Sequence, residues 1–288
     1  MITRFAPTPS GYLHRGNAAN ALLVSWLCTA TGGTLALRID DIDQARLRPE
    51  YVDDVFALLA WLDIDWQVGP ADRADLDARW TTRLRVERYR QALDRAVEEG
   101  LPVYACACSR TAQRGLATGG CSGGCRGRGL PLEPGHTALR VAVPIDTVVD
   151  AGGLPVALAE QLGDFVVWRR DDLPSYQLAS VVDDQDLGVT DVVRGADLIP
   201  STAAQLLLAP FLKADTFTQA RFWHHALLAS PDGTKLSKSQ QENGAPLPRT
   251  DAEREAVENL AADLGAPLGI RPPSEQPPDL TDPGPSAH

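Results

Sequence analysis

No apolar run in this chain approaches the ~18 residues that a membrane-spanning helix needs, and the N-terminus shows no basic leader followed by an apolar stretch and a small-residue cleavage site. These absences make a cytoplasmic location, with no membrane partner, the expectation. Net positive charge is also missing. Lys and Arg number 27 against 38 Asp and Glu, a formal charge of −11, which argues against a general electrostatic nucleic-acid binder. A local basic face remains open. Residues 104–140 carry Arg110, Arg114, Arg126, Arg128 and Arg140 against Glu133 alone, whereas Asp251, Glu253, Glu255, Glu258 and Asp263 are opposed mainly by Arg254. There is no internal repeat. A hydrophobic content of 44% over 288 residues is enough for one sizeable core or two modest ones.

Cysteine is scarce and unevenly placed. Of five, Cys28 stands alone on an apolar helical face and reads as a buried small hydrophobe. The other four, Cys106, Cys108, Cys121 and Cys125, form a Cys-x-Cys pair, a gap of twelve residues, and a Cys-x-x-x-Cys pair. With no export signal, four such thiols read as ligands of one tetrahedral Zn²⁺ sooner than as disulfides. The surrounding segment is rich in Gly and Arg and poor in apolar residues, so a metal would supply folding energy that it lacks. No nearby His or Glu suggests an open coordination position, so a closed, structural site is expected.

The pattern of elements is α/β. Residues 1–7 read as a strand ending at Pro7, TPSG as a turn, residues 16–31 as an Ala- and Leu-rich helix closed by Gly32-Gly33, and TLALRI (34–39) as a second strand. Strand, turn, helix, strand is the pattern of a βαβ unit with a parallel sheet. Helices are expected over 51–62, over 80–100 with Gly100 at the end, over 201–212 with Ser201 as N-cap, and over 250–264. Strands are expected over 137–144, 164–170 and 191–198, and a helix or strand-to-helix turn over 175–184. From Ala266 onward Pro and acidic residues dominate, and 266–288 reads as a disordered tail.

Two segments carry chemistry. In RFAPTPSGYLHRGN (4–17), a strand leads through a Pro/Gly turn to a helix start, where free N–H groups and the helix dipole favour an anion. His14 and Asn17 flank Gly16 there; both can donate to phosphate oxygens, and Gly16 lets a base or ribose approach the backbone. KLSKS (235–239) follows an apolar stretch and the turn PDGT. Either segment alone is weak; a His near a helix start often only caps, and a lysine-rich loop is often only solvated.

Together, and in this order, they resemble the HIGH and KMSKS signatures of the glutamyl type of class I aminoacyl-tRNA synthetases. LRIDDID (37–43) is similar to that family's Leu-Arg-Ile-Glu-Asp-x-Asp segment, and the resemblance runs from about residue 3 to 240. It implies a Rossmann-like nucleotide-binding parallel sheet in two halves (1–100 and 146–240, the second ending in KLSKS), an inserted zinc-binding subdomain (101–145) and a short helical C-terminal region (241–265). A full glutamyl-tRNA synthetase continues past KMSKS into an anticodon-binding domain, whereas here about fifty residues remain. The resemblance is therefore to the glutamyl-Q tRNA(Asp) synthetases, which lack that domain. It implies ATP-dependent activation of glutamate without tRNA, then transfer to queuosine in the anticodon of tRNA(Asp); a monomer is the default expectation.

By the same resemblance His14, Asn17, Lys235 and Lys238 are catalytic, and His14, Gly16, Asn17 and Lys238 hold ATP, with Mg²⁺ accompanying it. Arg4, Phe5, Ala6, Pro7, Thr8, Asp40, Tyr176 and Arg194 form the glutamate pocket. Arg4 would pair with the side-chain carboxylate and Asp40 with the α-ammonium group. By residue type alone, Arg4 reads sooner as a surface ion pair and Tyr176 as a core aromatic. Two positions depart from the family pattern. Asp40 stands where Glu is usual, one methylene shorter, which leaves Asp41 as another candidate for the ammonium contact. Arg15 stands where an apolar residue is usual, and could either assist ATP or face solvent. The competing activities are charging of a tRNA 3′ end by a truncated glutamyl-tRNA synthetase, and an inactive paralogue that binds RNA or a protein.

Overall fold

The computed structural model describes residues 1–43, 45–108, 121, 124–227 and 244–275. In chain order the strands are β1 (Ile2–Phe5), β2 (Thr34–Leu37), β3 (Val103–Cys106), β4 (Ala138–Val141), β5 (Val148–Asp150), β6 (Pro155–Ala157), β7 (Val166–Trp168), β8 (Asp191–Gly195) and β9 (Arg221–His225). The longer helices are α1 (Arg15–Ala30), α2 (Pro49–Trp61), α3 (Val86–Glu98), α4 (Tyr176–Asp186), α5 (Ile199–Leu208) and α6 (Asp251–Gly265). Among the described residues no helix is long and apolar enough to cross a membrane.

The chain divides into two compact units. The first contains residues 1–81, 190–196 and the described part of 223–288. Its sheet has the order β2-β1-β8-β9. β1 runs parallel to β2 with Ile2 opposite Thr34 and Phe5 opposite Leu37, and parallel to β8 with Thr3 opposite Asp191. The β1–α1–β2 crossover is the expected βαβ unit. Helix α1 is apolar on nearly every side, with Ala18, Ala19, Leu22, Leu23, Val24 and Leu27 all buried. A helix of that kind must be covered twice. The sheet covers one side and α6 packs on another. Gly32 takes a left-handed φ of +58° just past the helix end, as a terminating glycine does.

Gly265 closes the α1–α6 packing. A Cβ there would lie 2.4 Å from the Ile270 carbonyl oxygen and 2.8 Å from Leu23 Cδ2. The chain from Ala266 to Glu275 carries two short 3₁₀ turns, and Ile270 is 3% exposed against this core. The tail expected from residue 266 is thus corrected over 266–275. Composition counted the prolines but missed Ile270 and Leu268, which pack the segment on the core.

The second unit contains residues 82–189 and 197–222. β4 pairs antiparallel with β3 on one side and β7 on the other, and β5–β6 is an antiparallel hairpin. Two expected boundaries are revised. The helix expected over 80–100 begins at Val86, after a π turn (Leu76–Trp80) and a 3₁₀ turn (Thr82–Arg85), because Thr81 leaves helical geometry (φ −56°, ψ 139°) and its hydroxyl donates to Asp41. The helix expected from Ser201 starts at Ile199. Pro200 occupies its first turn, a position proline prefers, and the Ser201 hydroxyl instead accepts from Gln177 Nε2 at 3.1 Å.

Candidate active site and metal centre

β1 is the strand at which the first unit's sheet reverses order, with β2 on one flank and β8 on the other. In open α/β sheets ligands collect at the carboxyl ends of the strands at such a point. Arg4 lies near the end of β1 and Arg194 near the end of β8, each only 4% exposed. A guanidinium is kept inside where it can meet carboxylate or phosphate oxygens in a fork. Beyond the strand ends the two chains are stitched together: Arg38 N donates to Phe5 O at 2.9 Å and Asp40 N to Pro7 O at 3.0 Å.

This stitching sorts the expected pocket residues. Arg4, Ala6, Thr8, Asp40 and Arg194 belong to the carboxyl end of this sheet, with Thr8 exposed. Phe5 is corrected from a pocket contact to a core residue, 3% exposed in the main apolar cluster, because its strand position points its ring into the sheet's packed face. Pro7 is buried and contributes its carbonyl to the stitch. The Asp40 carboxylate accepts from Arg38 Nε at 2.8 Å and Nη2 at 3.0 Å. Any ammonium ligand therefore shares Asp40 with Arg38. Asp41 is buried and accepts from the Thr81 hydroxyl, so it is occupied in the core. Tyr176 lies in the second unit, half-buried, as the first residue of α4 after the Ser175 cap.

The start of α1 is a reciprocal capping box built by HRGN itself. His14 Nδ1 accepts from Gly16 N at 3.0 Å, and Asn17 Oδ1 accepts from His14 N at 3.1 Å. Asn17 N also donates to His14 O at 2.9 Å. Three of the four N–H groups that a helix start leaves open are therefore used by the motif. The expected cradle of free backbone N–H groups is narrowed accordingly; besides the Arg15 N–H, the donors left for an anion are on side chains. With Nδ1 accepting, the neutral ring carries its proton on Nε2. Burial lowers the His14 pKa and so favours this neutral form. Asn17, its oxygen engaged, keeps its amino group as donor. No acidic residue occupies the first turn, so the positive end of the helix dipole is retained.

Arg15 is half exposed and ion-paired. Its Nε and Nη2 take both oxygens of Glu253 in α6, the latter at 2.7 Å. A cleft of about 600 Å³ opens beside this turn, with Ser10, Tyr12, His14, Arg46, Tyr51 and Pro246 among its walls. The KLSKS residues Lys235 and Lys238 lie outside the described residues, as do Arg110 and Arg114.

In the second unit the four cysteines converge. Cys106 ends β3, and the sulfurs of Cys106, Cys108, Cys121 and Cys125 all lie within 4.8 Å of one another. Cys108 Sγ is 3.7 Å from Cys121 Sγ and 3.5 Å from Cys125 Sγ. The edge of a tetrahedral zinc–thiolate site is ~3.8 Å, from a Zn–S distance of ~2.3 Å. The donor set and its spacing therefore fit a closed tetrathiolate ion. Burial and the neighbouring sulfurs push the Cys108 thiol up to about 12, which is the cost of four thiols without the cation they suit.

Asp164 supports the cluster. It accepts from Tyr104 OH at 2.5 Å, from Arg126 Nε at 2.7 Å and from Val143 N at 2.9 Å. Against the upward push of burial, Arg126 and Tyr104 hold its carboxyl below the usual range. Arg126 is thus tied to the fold by its ion pair, although its side chain stays 45% exposed. No motif marks Asp164 or Asp54, and Glu253 stands out only as one of several acidic residues near Arg254. Asp54 had a legible signal: it shares a face of α2 with buried Leu58, four residues on, and a carboxylate on an apolar stripe needs a partner.

Residues 1–114 and 133–267 match the family described as tRNA synthetases class I (E and Q), catalytic domain. The chain is 42% identical over 261 residues to a glutamyl-Q tRNA(Asp) synthetase of Symbiobacterium thermophilum, covering 83% of this chain and 78% of that one. It is 37% identical over 276 residues to a protein of the same name from Pseudomonas aeruginosa, covering 95% and 87%. Among solved structures, a glutamate tRNA ligase of Elizabethkingia meningosepticum in complex with its amino acid superposes with a TM-score of 0.67 at 24% identity. That likeness concerns the fold, and this chain spans 53% of the ligase's length. With a metal-ready cysteine cluster, a capped HRGN helix start and this match over most of its length, the chain belongs to the glutamyl-Q tRNA(Asp) synthetase family of class I synthetases.

Proposed function

We propose that this chain activates glutamate with ATP and transfers it to queuosine in tRNA(Asp). The reading is carried by the 42% identity to a relative of that name over 83% of the chain. In the first step a glutamate α-carboxylate oxygen attacks the α-phosphorus of ATP and pyrophosphate leaves. Charge develops on phosphate oxygens, so positioned donors do most of the work. His14 Nε2–H, the Asn17 amino group and the dipole of α1 supply donors at the helix start; Lys235 and Lys238 are assigned to the phosphates by their motif. Mg²⁺ accompanying ATP offsets phosphate charge.

Arg4 takes the substrate side-chain carboxylate, Arg194 adds a second cationic contact, and Asp40 takes the α-ammonium group, with Thr8 and Tyr176 as further pocket contacts. In the second step a hydroxyl of the queuosine cyclopentene ring attacks the activated acyl carbon and AMP leaves, so no protein nucleophile is needed. The ion held by Cys106, Cys108, Cys121 and Cys125 is zinc, and its role is structural.

The test is pyrophosphate exchange into ATP across a panel of amino acids without tRNA, followed by transfer to tRNA(Asp) with and without queuosine. Exchange with glutamate and queuosine-dependent transfer are expected. Exchange with no acidic amino acid, or transfer to the 3′ end, would overturn the proposal.

A further inference from the structure

The turn that presents His14 is braced from both of its neighbours by charged groups of other elements. On one side, Leu13 N donates to Asp54 Oδ2 of α2 at 2.9 Å, and the other oxygen of Asp54 accepts from Arg249 Nη2 at 2.7 Å. Arg249 in turn donates to Leu247 O at 2.9 Å and lies 5.2 Å from the Trp61 ring centroid. On the other side, Arg15 forks onto Glu253, whose own N–H is held by the Thr250 cap at 3.2 Å. Asp54 and Glu253 are nearly covered, with side chains 5% and 10% exposed. One short stretch, Leu247 to Glu253, thus supplies both braces, and that stretch follows KLSKS in the sequence.

We propose that Asp54, Arg249 and the Arg15–Glu253 pair are positioning residues for the activation step: they set the placement of His14 and Asn17 against the phosphates of ATP. The inference rests on the activation reading above. The chemistry that links the braces to rate is geometric. The His14 ring is oriented by a cap within its own turn, so a shift of Leu13 or Arg15 carries the ring with it. A misplacement of about 1 Å near a reacting group can cost ~100-fold. The carboxylate of Asp54 is an expensive choice for a buried brace. Burial raises its pKa even with Leu13 N and Arg249 lowering it. An apolar residue would fill α2 without that cost, whereas only a two-oxygen acceptor joins the Leu13 amide to Arg249.

Five variants test this in the full-length chain by pyrophosphate exchange, with folding checked by circular dichroism and melting temperature. Asp54→Asn can accept from Leu13 or face Arg249, but not serve both. It is expected to lower kcat/KM for ATP by about tenfold while the glutamate KM stays within about twofold. Arg249→Met is expected to do the same, and the two together no more than either alone, because they act as one unit. Arg15→Glu is expected to lose ATP efficiency, and adding Glu253→Arg to recover it. The proposal is overturned if the variants melt lower yet keep wild-type ATP kinetics, if both substrates are affected equally, or if the double charge swap recovers nothing. Failure of the wild-type chain to exchange with glutamate would instead sink the activation reading itself.

Discussion

His14 shows how one side chain does two things at once. Its Nδ1 closes the helix start and its Nε2–H is thereby left as a donor, so the cap itself orients the group proposed to meet an anion. Burial lowers its pKa from 6.5, which has a sign that can be checked. An imidazole harder to protonate in the folded chain contributes stability that is full above pH 6.5 and is lost as pH falls below it, through the lowered folded value. Protonating Nδ1 also removes the acceptor for Gly16 N. kcat/KM for ATP should therefore stay flat down through pH 6.5 and fall only below it. His14→Asn retains an oxygen for Gly16 N but loses the imidazole. It should melt near wild type, lose about 100-fold in exchange rate, and lose the acidic limb attributed to His14. An unchanged limb in a pH profile of this variant would assign it to another group.

At the scale of elements, the parts of the fold fixed by local rules were legible and the parts fixed by tertiary contacts were not. The β1–α1–β2 unit, the polar helix α6 and the four-cysteine cluster follow from periodicity and spacing. The start of α3 was misplaced because Thr81 is drawn away by Asp41, forty residues earlier. Arg126 was read as part of a basic face because composition shows its charge but not Asp164, thirty-eight residues later. At the candidate site, the helix start at HRGN was legible, whereas the commitment of Asp40 to Arg38 and of Arg15 to Glu253 required the fold.

Arg126 and Arg128 of the cysteine segment separate into different experiments. Arg126→Glu leaves Asp164 facing a like charge and should lower the melting temperature by an amount equivalent to about 2–4 kcal/mol. Arg128→Glu, at an exposed position, should leave melting unchanged and weaken only tRNA transfer. Gly265→Ala should cost about 1–3 kcal/mol by overpacking α6 against Leu23 and Ile270, read from denaturant unfolding.

For the whole molecule, the excess of acid over base constrains how RNA is met. Many arginines in both units are already paired with carboxylates, among them Arg15, Arg73, Arg79, Arg85, Arg88, Arg90, Arg126, Arg249 and Arg254. With a net charge of −11, long-range attraction cannot supply affinity for a polyanion, and each phosphate contact releases about one counterion. A tRNA partner must then be held by few phosphate contacts and by specific fit to its modified base. The consequence is measurable. Between 50 and 200 mM salt the tRNA dependence of transfer should weaken with a shallow log–log slope of about −2 to −4, where a basic RNA-binding domain gives a steeper one. Glutamate-dependent pyrophosphate exchange, confined to small substrates inside the site, should change little over the same range. A steep slope would mean that a large set of arginines is released from its carboxylates when RNA binds.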